Sequence, residues 1–143
     1  MKSKYIILIC DDEKFLSRMY AYKFEHEGYK VYVVDSGENV VAEMKKIKPH
    51  VVILDLMMPV KTGFEVLQEI IDDADTSIKT IPVIVASNLA QDSDIDTVKR
   101  LGAVDFLIKT KTTPSDLVAV VEKHLQKCNL DTSKNTEVVF SSV

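Results

Sequence analysis

Residues 50–63 read HVVILDLMMPVKTG. Four apolar residues, Val51 to Leu54, run into a carboxylate at Asp55, and apolar chain resumes at Leu56, Met57 and Met58 before Pro59. A run this apolar belongs inside a protein, where an unpaired charge is expensive. An acid at its end marks either the point where a strand surfaces or a charge that has partners.

Four more short apolar runs accompany it: YIILIC (Tyr5–Cys10), VYVV (Val31–Val34), PVIVA (Pro82–Ala86) and DFLI (Asp105–Ile108). They are rich in β-branched residues and mostly do not alternate, which suits strands covered on both faces of a parallel sheet. The stretches between them are long enough for a helix and two loops, as parallel crossovers require. Phe15, Leu16, Met19, Tyr20 and Phe24 form one apolar stripe, with Gly28 as its stop. Val40, Val41, Met44 and Ile47 form a second, ended before Pro49. Phe64, Leu67, Ile70 and Ile71 form a third, and Ile95, Val98 and Leu101 a weaker fourth that stops at Gly102. The fifth opens on TTPSD, with Thr113 as N-cap, Pro114 at the first helical position and Asp116 at capping-box spacing. Leu117, Val118, Val121 and Leu125 make its apolar face.

The alternation is (βα)5, an open α/β sandwich with helices on both faces and a switch point where strand order reverses. From Cys128 onward, CNLDTSKNTEVVFSSV has little helical pattern and is taken as a tail, with Val138–Phe140 a candidate for local docking.

The chain has 143 residues, 46% hydrophobic and 28% charged, which suits one domain with a real core. A net charge of −4 gives no electrostatic case for nucleic acid or an anionic membrane. The apolar run at Tyr5–Cys10 is too short for a membrane span and meets three acids, so it is no signal peptide. Cys10 and Cys128 lie at opposite ends of the chain, and Cys10 is expected as a buried thiol rather than half of a bridge. A reducing cytoplasm is the expected location.

In a doubly wound sheet, ligands bind beyond the C-terminal ends of the strands. The first strand ends at Asp11 and Asp12, the third at Asp55, the fourth at Ser87 and the fifth at Lys109. Any one of these could simply mark where a strand surfaces. Together, on one edge, they point to a site. Crowded carboxylates must either share a proton or gather around a cation. Oxygen ligands without His or Cys favour a hard ion, for which Mg²⁺ is the natural candidate. Such an ion beside a lysine and a hydroxyl suits a phosphoryl group in transfer, with Asp55 placed to form an acyl phosphate.

CDDE at 10–13, VVILDLMMP at 51–59, TG at 62–63, VIVAS at 83–87 and GAVDFLIK at 102–109 together resemble the receiver domain of two-component response regulators. The resemblance covers residues 4–127, leaving 128–143 as a tail or truncated linker. It implies a flavodoxin-like doubly wound parallel sheet with strand order 2-1-3-4-5. It implies that Asp55 accepts a phosphoryl group from a sensor histidine kinase or a histidine phosphotransfer protein. Asp12, Asp55 and the backbone carbonyl of Met57 would ligate Mg²⁺, with Asp11 acting through water. Lys109 would contact the phosphoryl oxygens and pair with the carboxylates, while Ser87 would swing its hydroxyl onto the new phosphate. Phe106 would then rotate inward and alter the surface of the fourth helix, fifth strand and fifth helix. That surface would meet a downstream protein target or a second copy of the chain. A receiver of this kind assists only its own phosphorylation and dephosphorylation, and binds neither nucleic acid nor membrane directly.

Two other aspartyl or phosphate chemistries fit less well. A phosphatase of the haloacid dehalogenase type needs a second carboxylate two residues after the nucleophile, where Met57 stands. A flavodoxin-like FMN binder needs a Ser/Thr/Gly-rich phosphate loop after the first strand, and CDDE is not one. The side chains of Met57 and Met58 are expected to pack, Lys61 to be a solvated loop charge, and His26, His50 and His124 to serve no relay. One departure stands out. Receivers usually carry proline after the conserved lysine, with a cis peptide, but the sequence here is IKTKTTP, with Thr110 in that place. A non-proline cis bond costs about 2.5–4 kcal/mol, so a trans Lys109–Thr110 bond and a rearranged loop are expected.

Overall fold

The computed structural model describes residues 4–88 and 91–132. Five strands, β1 (Ile6–Cys10), β2 (Lys30–Val34), β3 (Val51–Leu54), β4 (Val83–Ser87) and β5 (Asp105–Ile108), form one parallel sheet in the order 2-1-3-4-5. The helices between and after them are α1 (Lys14–His26), α2 (Val40–Ile47), α3 (Gly63–Asp72), α4 (Asp92–Arg100) and α5 (Pro114–Thr132). The fold is the flavodoxin-like one expected from the sequence.

The central strands β1, β3 and β4 are buried on both faces because two cores sandwich them, while the edge strands β2 and β5 are only partly covered. Successive side chains of a strand point to opposite faces. Leu8, Cys10, Val52, Leu54, Val83 and Val85 therefore pack with Val40, Met44, Val66 and Val98 of α2, α3 and α4. Ile7, Ile9, Val51, Ile53, Ile84 and Ala86 pack instead with Tyr20 and Phe24 of α1 and Leu117, Val121 and Leu125 of α5. Cys10 is a buried free thiol, as its position predicts.

Helix ends follow local chemistry. Gly28 and Gly102 have φ near 100° and close matching Schellman turns, in which Tyr29 N–H donates to Phe24 and Ala103 N–H to Val98. Lys48 takes the left-handed conformation that stops α2 before Pro49. Thr113 and Asp116 exchange the reciprocal bonds of a capping box, each 3.0 Å.

Four expectations need correction, the first being the side chain of Met57, expected to pack but 58% exposed. Phe15 is 81% exposed and Met19 39% exposed, so α1 buries Ser17, Tyr20 and Phe24 and turns two of its five stripe residues to solvent. Ile71 of α3 is exposed, and Val66 takes the inward position. Helix α5 continues past Cys128 to Thr132, although residues 128–132 carry little apolar pattern. Val138–Phe140 lie outside the described residues.

Candidate functional site

The sheet brings its C-terminal strand ends together at one edge. Asp11 follows β1, with its N–H bonded to Val34 of β2, and Asp55 follows β3, with its N–H bonded to Cys10. The ladder thus continues through both acids and fixes their backbones. Gly63, at the start of α3, lies beneath the loop: its N–H donates to Leu56, and a Cβ there would stand 2.5 Å from the Asp55 carbonyl. Only glycine fits. The reciprocal bonds of Thr62 and Glu65 cap the helix that begins there.

Asp11, Asp12 and Asp55 offer carboxylate oxygens that all lie within 4.8 Å of one another; Asp11 and Asp55 are buried and Asp12 is exposed. Lys109 Nζ enters this cluster from the end of β5. It lies 2.6 Å from Asp11 Oδ2, 3.1 Å from Asp55 Oδ2 and 3.1 Å from Glu13 Oε1. Burial works against the lysine charge, but the hydrogen bond to Asp11 and the field of Asp55 outweigh it and push its pKa up. Asp55 is shifted up too, chiefly by burial; the attraction of Lys109 opposes this and the neighbouring charge of Asp11 adds to it. The two shifts are compatible because one ammonium serves three acids. It stays protonated while buried Asp55 remains short of positive charge.

Asp12, Glu13, Asp55, Met57, Ser87, Asn88 and Lys109 line an open cavity of about 310 Å³. Met57 N–H donates to Asp55 Oδ1 at 3.3 Å. The cavity therefore gathers the strand-end residues expected from the sequence except Asp11, which is joined to it through Lys109. Phe106 lies apart from it, partly buried against the core under α4 and facing a groove of about 410 Å³ beside Ile95, Val104 and Lys111.

The family model that matches this chain is that of the response regulator receiver domain, over residues 7–122. The chain belongs to the response regulator receiver family. Response regulator RR06 of Streptococcus pneumoniae is 38% identical over 117 residues, which are 82% of this chain and 50% of that protein. The chain spans about half the length of the curated relatives it matches. The signal receiver domain of a signal transduction histidine kinase from Syntrophus aciditrophicus superposes with a TM-score of 0.75 at 26% identity, covering 85% of this chain and 90% of that one. The receiver domain of the Francisella response regulator 1452 gives 0.76 at 25% identity, covering 87% and 98%.

Several features of this receiver were not apparent from its sequence. Glu13 shares Lys109, although the only signal was a third acid in the run DDE. Lys61 is not a free solvated charge, because its Nζ binds Glu69 Oε1 at 2.6 Å. Buried His124 pairs with Asp105 at 3.1 Å, and Asp105 also accepts the N–H of Phe106. His50 Nδ1 accepts the N–H of Ile6. No peptide bond among the described residues is cis, so Lys109–Thr110 is trans, and Lys109–Lys111 forms a short 3-10 turn.

Proposed function

We propose that this receiver accepts a phosphoryl group on Asp55 from the phosphohistidine of a sensor histidine kinase or a histidine phosphotransfer protein. The observation that carries the reading is the Lys109 ammonium set between Asp11 and Asp55 at the floor of an open cavity. An Asp55 carboxylate oxygen attacks phosphorus, the P–N bond breaks, and its electron pair returns to the imidazole. The product is an acyl phosphate on Asp55. Lys109 then meets the phosphoryl oxygens, and the Ser87 hydroxyl moves toward the new group.

The oxygen-only set of Asp11, Asp12 and Asp55 fits a hard divalent cation, and the Met57 carbonyl is the proposed backbone ligand. Bound there, Mg²⁺ would supply positive charge to offset the crowded acids and the phosphoryl oxygens. The side chains of Phe15, Met57 and Val60 are exposed around this end of the fold and offer an apolar rim to a docking donor.

Output is proposed at the face of α4, β5 and α5, where Phe106 changes position and a protein target or a second copy binds. Among the described residues no helix is long and apolar enough to cross a membrane, and the net charge is −4. The proposed setting is the cytoplasm, without direct nucleic-acid contact. No catalytic role beyond the domain's own phosphorylation and dephosphorylation is proposed.

The test is transfer from a phosphorylated histidine kinase, or from acetyl phosphate, in the presence of Mg²⁺. Wild type should take up one phosphoryl group and Asp55→Asn none. Equal labelling of the two proteins would refute Asp55 as acceptor.

A further inference from the structure

Lys109 reaches its carboxylates without a proline behind it. The turn Lys109–Lys111 is closed by Thr112 N–H on the Lys109 carbonyl at 3.2 Å. Two side chains tie this turn down. Thr112 Oγ1 donates to the Ile108 carbonyl at 2.7 Å, in a half-buried position. Thr110 N–H donates to Asn88 Oδ1 at 3.2 Å. A proline at 110 would have no N–H to give, so the bond to Asn88 depends on a residue other than proline at this position. Asn88 directly follows Ser87 and lines the same cavity as Asp55 and Lys109.

A lysine side chain has great rotamer freedom, so its base must be fixed if the ammonium is to stay on two buried carboxylates. We propose that Asn88 and Thr112 are positioning residues for Lys109, two hydrogen-bonding side chains doing in this receiver what a rigid imide would otherwise do. The bond from Asn88 also joins the lysine turn to the strand end that carries Ser87, so displacement of one is felt by the other. The proposal rests on the reading of Lys109 as the phosphoryl contact. Neither residue has a hydrogen bond to the carboxylates, so losing either slows phosphoryl transfer without weakening Mg²⁺ binding.

The experiment uses the full chain with acetyl phosphate and Mg²⁺, following the labelling rate by intact mass and Mg²⁺ affinity by titration. Asn88→Ala should label about fivefold more slowly, the scale of one hydrogen bond. Thr112→Val should also slow, and Thr112→Ser should recover. In a Thr110→Pro background, Asn88→Ala should have no further effect, because its donor is gone. Asn88 is exposed, so its variant is the decisive one should Thr112→Val fail to fold. A folded Asn88→Ala that labels at the wild-type rate, that slows equally in the Thr110→Pro background, or that loses Mg²⁺ affinity in parallel with rate overturns the proposal. Failure of wild type to label would instead remove the reading of the site beneath it.

Discussion

Lys109 Nζ stands 2.6 Å from Asp11 Oδ2, and both side chains are shut away from solvent. Asp55 shares the same ammonium at 3.1 Å. A buried charge pair is weak evidence for stability, because desolvation can exceed the attraction. Here the acids outnumber the cation, and burial raises the pKa of Asp55 despite Lys109. Asp55 therefore costs the fold something when no metal ion is bound.

Asp55→Asn should accordingly stabilise the metal-free protein, by about 1–2 kcal/mol on the scale of one relieved buried charge. Mg²⁺ should then raise the melting temperature of wild type by mass action and that of the variant much less. Paired thermal melts with and without Mg²⁺ check both statements. A metal-free variant less stable than wild type would show that the carboxylate is fully compensated.

Val60 has φ of 71°, and Lys61 N–H donates to the Pro59 carbonyl at 2.8 Å, closing a strained γ-turn around a β-branched residue. Val60→Gly should stabilise the protein by about 1 kcal/mol, after the greater chain entropy of glycine is subtracted. Urea denaturation measures the difference. No gain would mean that any strain in the loop does not exceed the entropy cost of glycine.

Gly63→Ala should do the reverse. Its Cβ would press on the Asp55 carbonyl at 2.5 Å and on Leu56 Cα at 2.8 Å, both backbone atoms that cannot rotate away. A loss of about 2 kcal/mol or more is expected, together with slower labelling because Asp55, the proposed acceptor, is displaced. A variant with wild-type stability and rate would contradict the placement of this loop.

His50 supplies a pH dependence far from the site. Its Nδ1 must be unprotonated to accept the N–H of Ile6, and Tyr5 packs edge-on against the ring. Burial, and then the charge of Lys4, hold its pKa below the ordinary value of 6.5. The unfolded chain therefore takes up the proton first as pH falls. The contribution to stability is present above pH 6.5 and declines as pH drops toward the depressed folded value. His50→Asn keeps an acceptor and does not titrate, so its melting temperature should fall less over that window. Parallel curves for the two proteins would rule the histidine out.

The fold was legible because its strands are apolar on both faces and its helix ends carry standard signals at Gly28, Gly102 and Thr113. The strand ends disclosed Asp11, Asp12, Asp55, Ser87 and Lys109 because a parallel sheet gathers them on one edge. Helix α1 was harder. An apolar pattern cannot distinguish the buried Tyr20 and Phe24 from the exposed Phe15 and Met19, since all are equally apolar in sequence. Asn88, Thr112, Glu13 and His50 act through hydrogen bonds and ion pairs set by loop geometry. Polar residues in loops carry no period to read. The extension of α5 to Thr132 was hidden for the same reason, because its last turns lack an apolar stripe.

The central claim is that Asp55 carries the phosphoryl group as an acyl phosphate. Borohydride reduces an acyl phosphate to the alcohol, converting an aspartyl phosphate into homoserine. After phosphorylation with Mg²⁺, reduction and peptide mapping by mass spectrometry, homoserine is expected at position 55 and nowhere else. Homoserine at position 11 or 12, or a stable phosphate on a serine, threonine or histidine with residue 55 intact, would contradict the account.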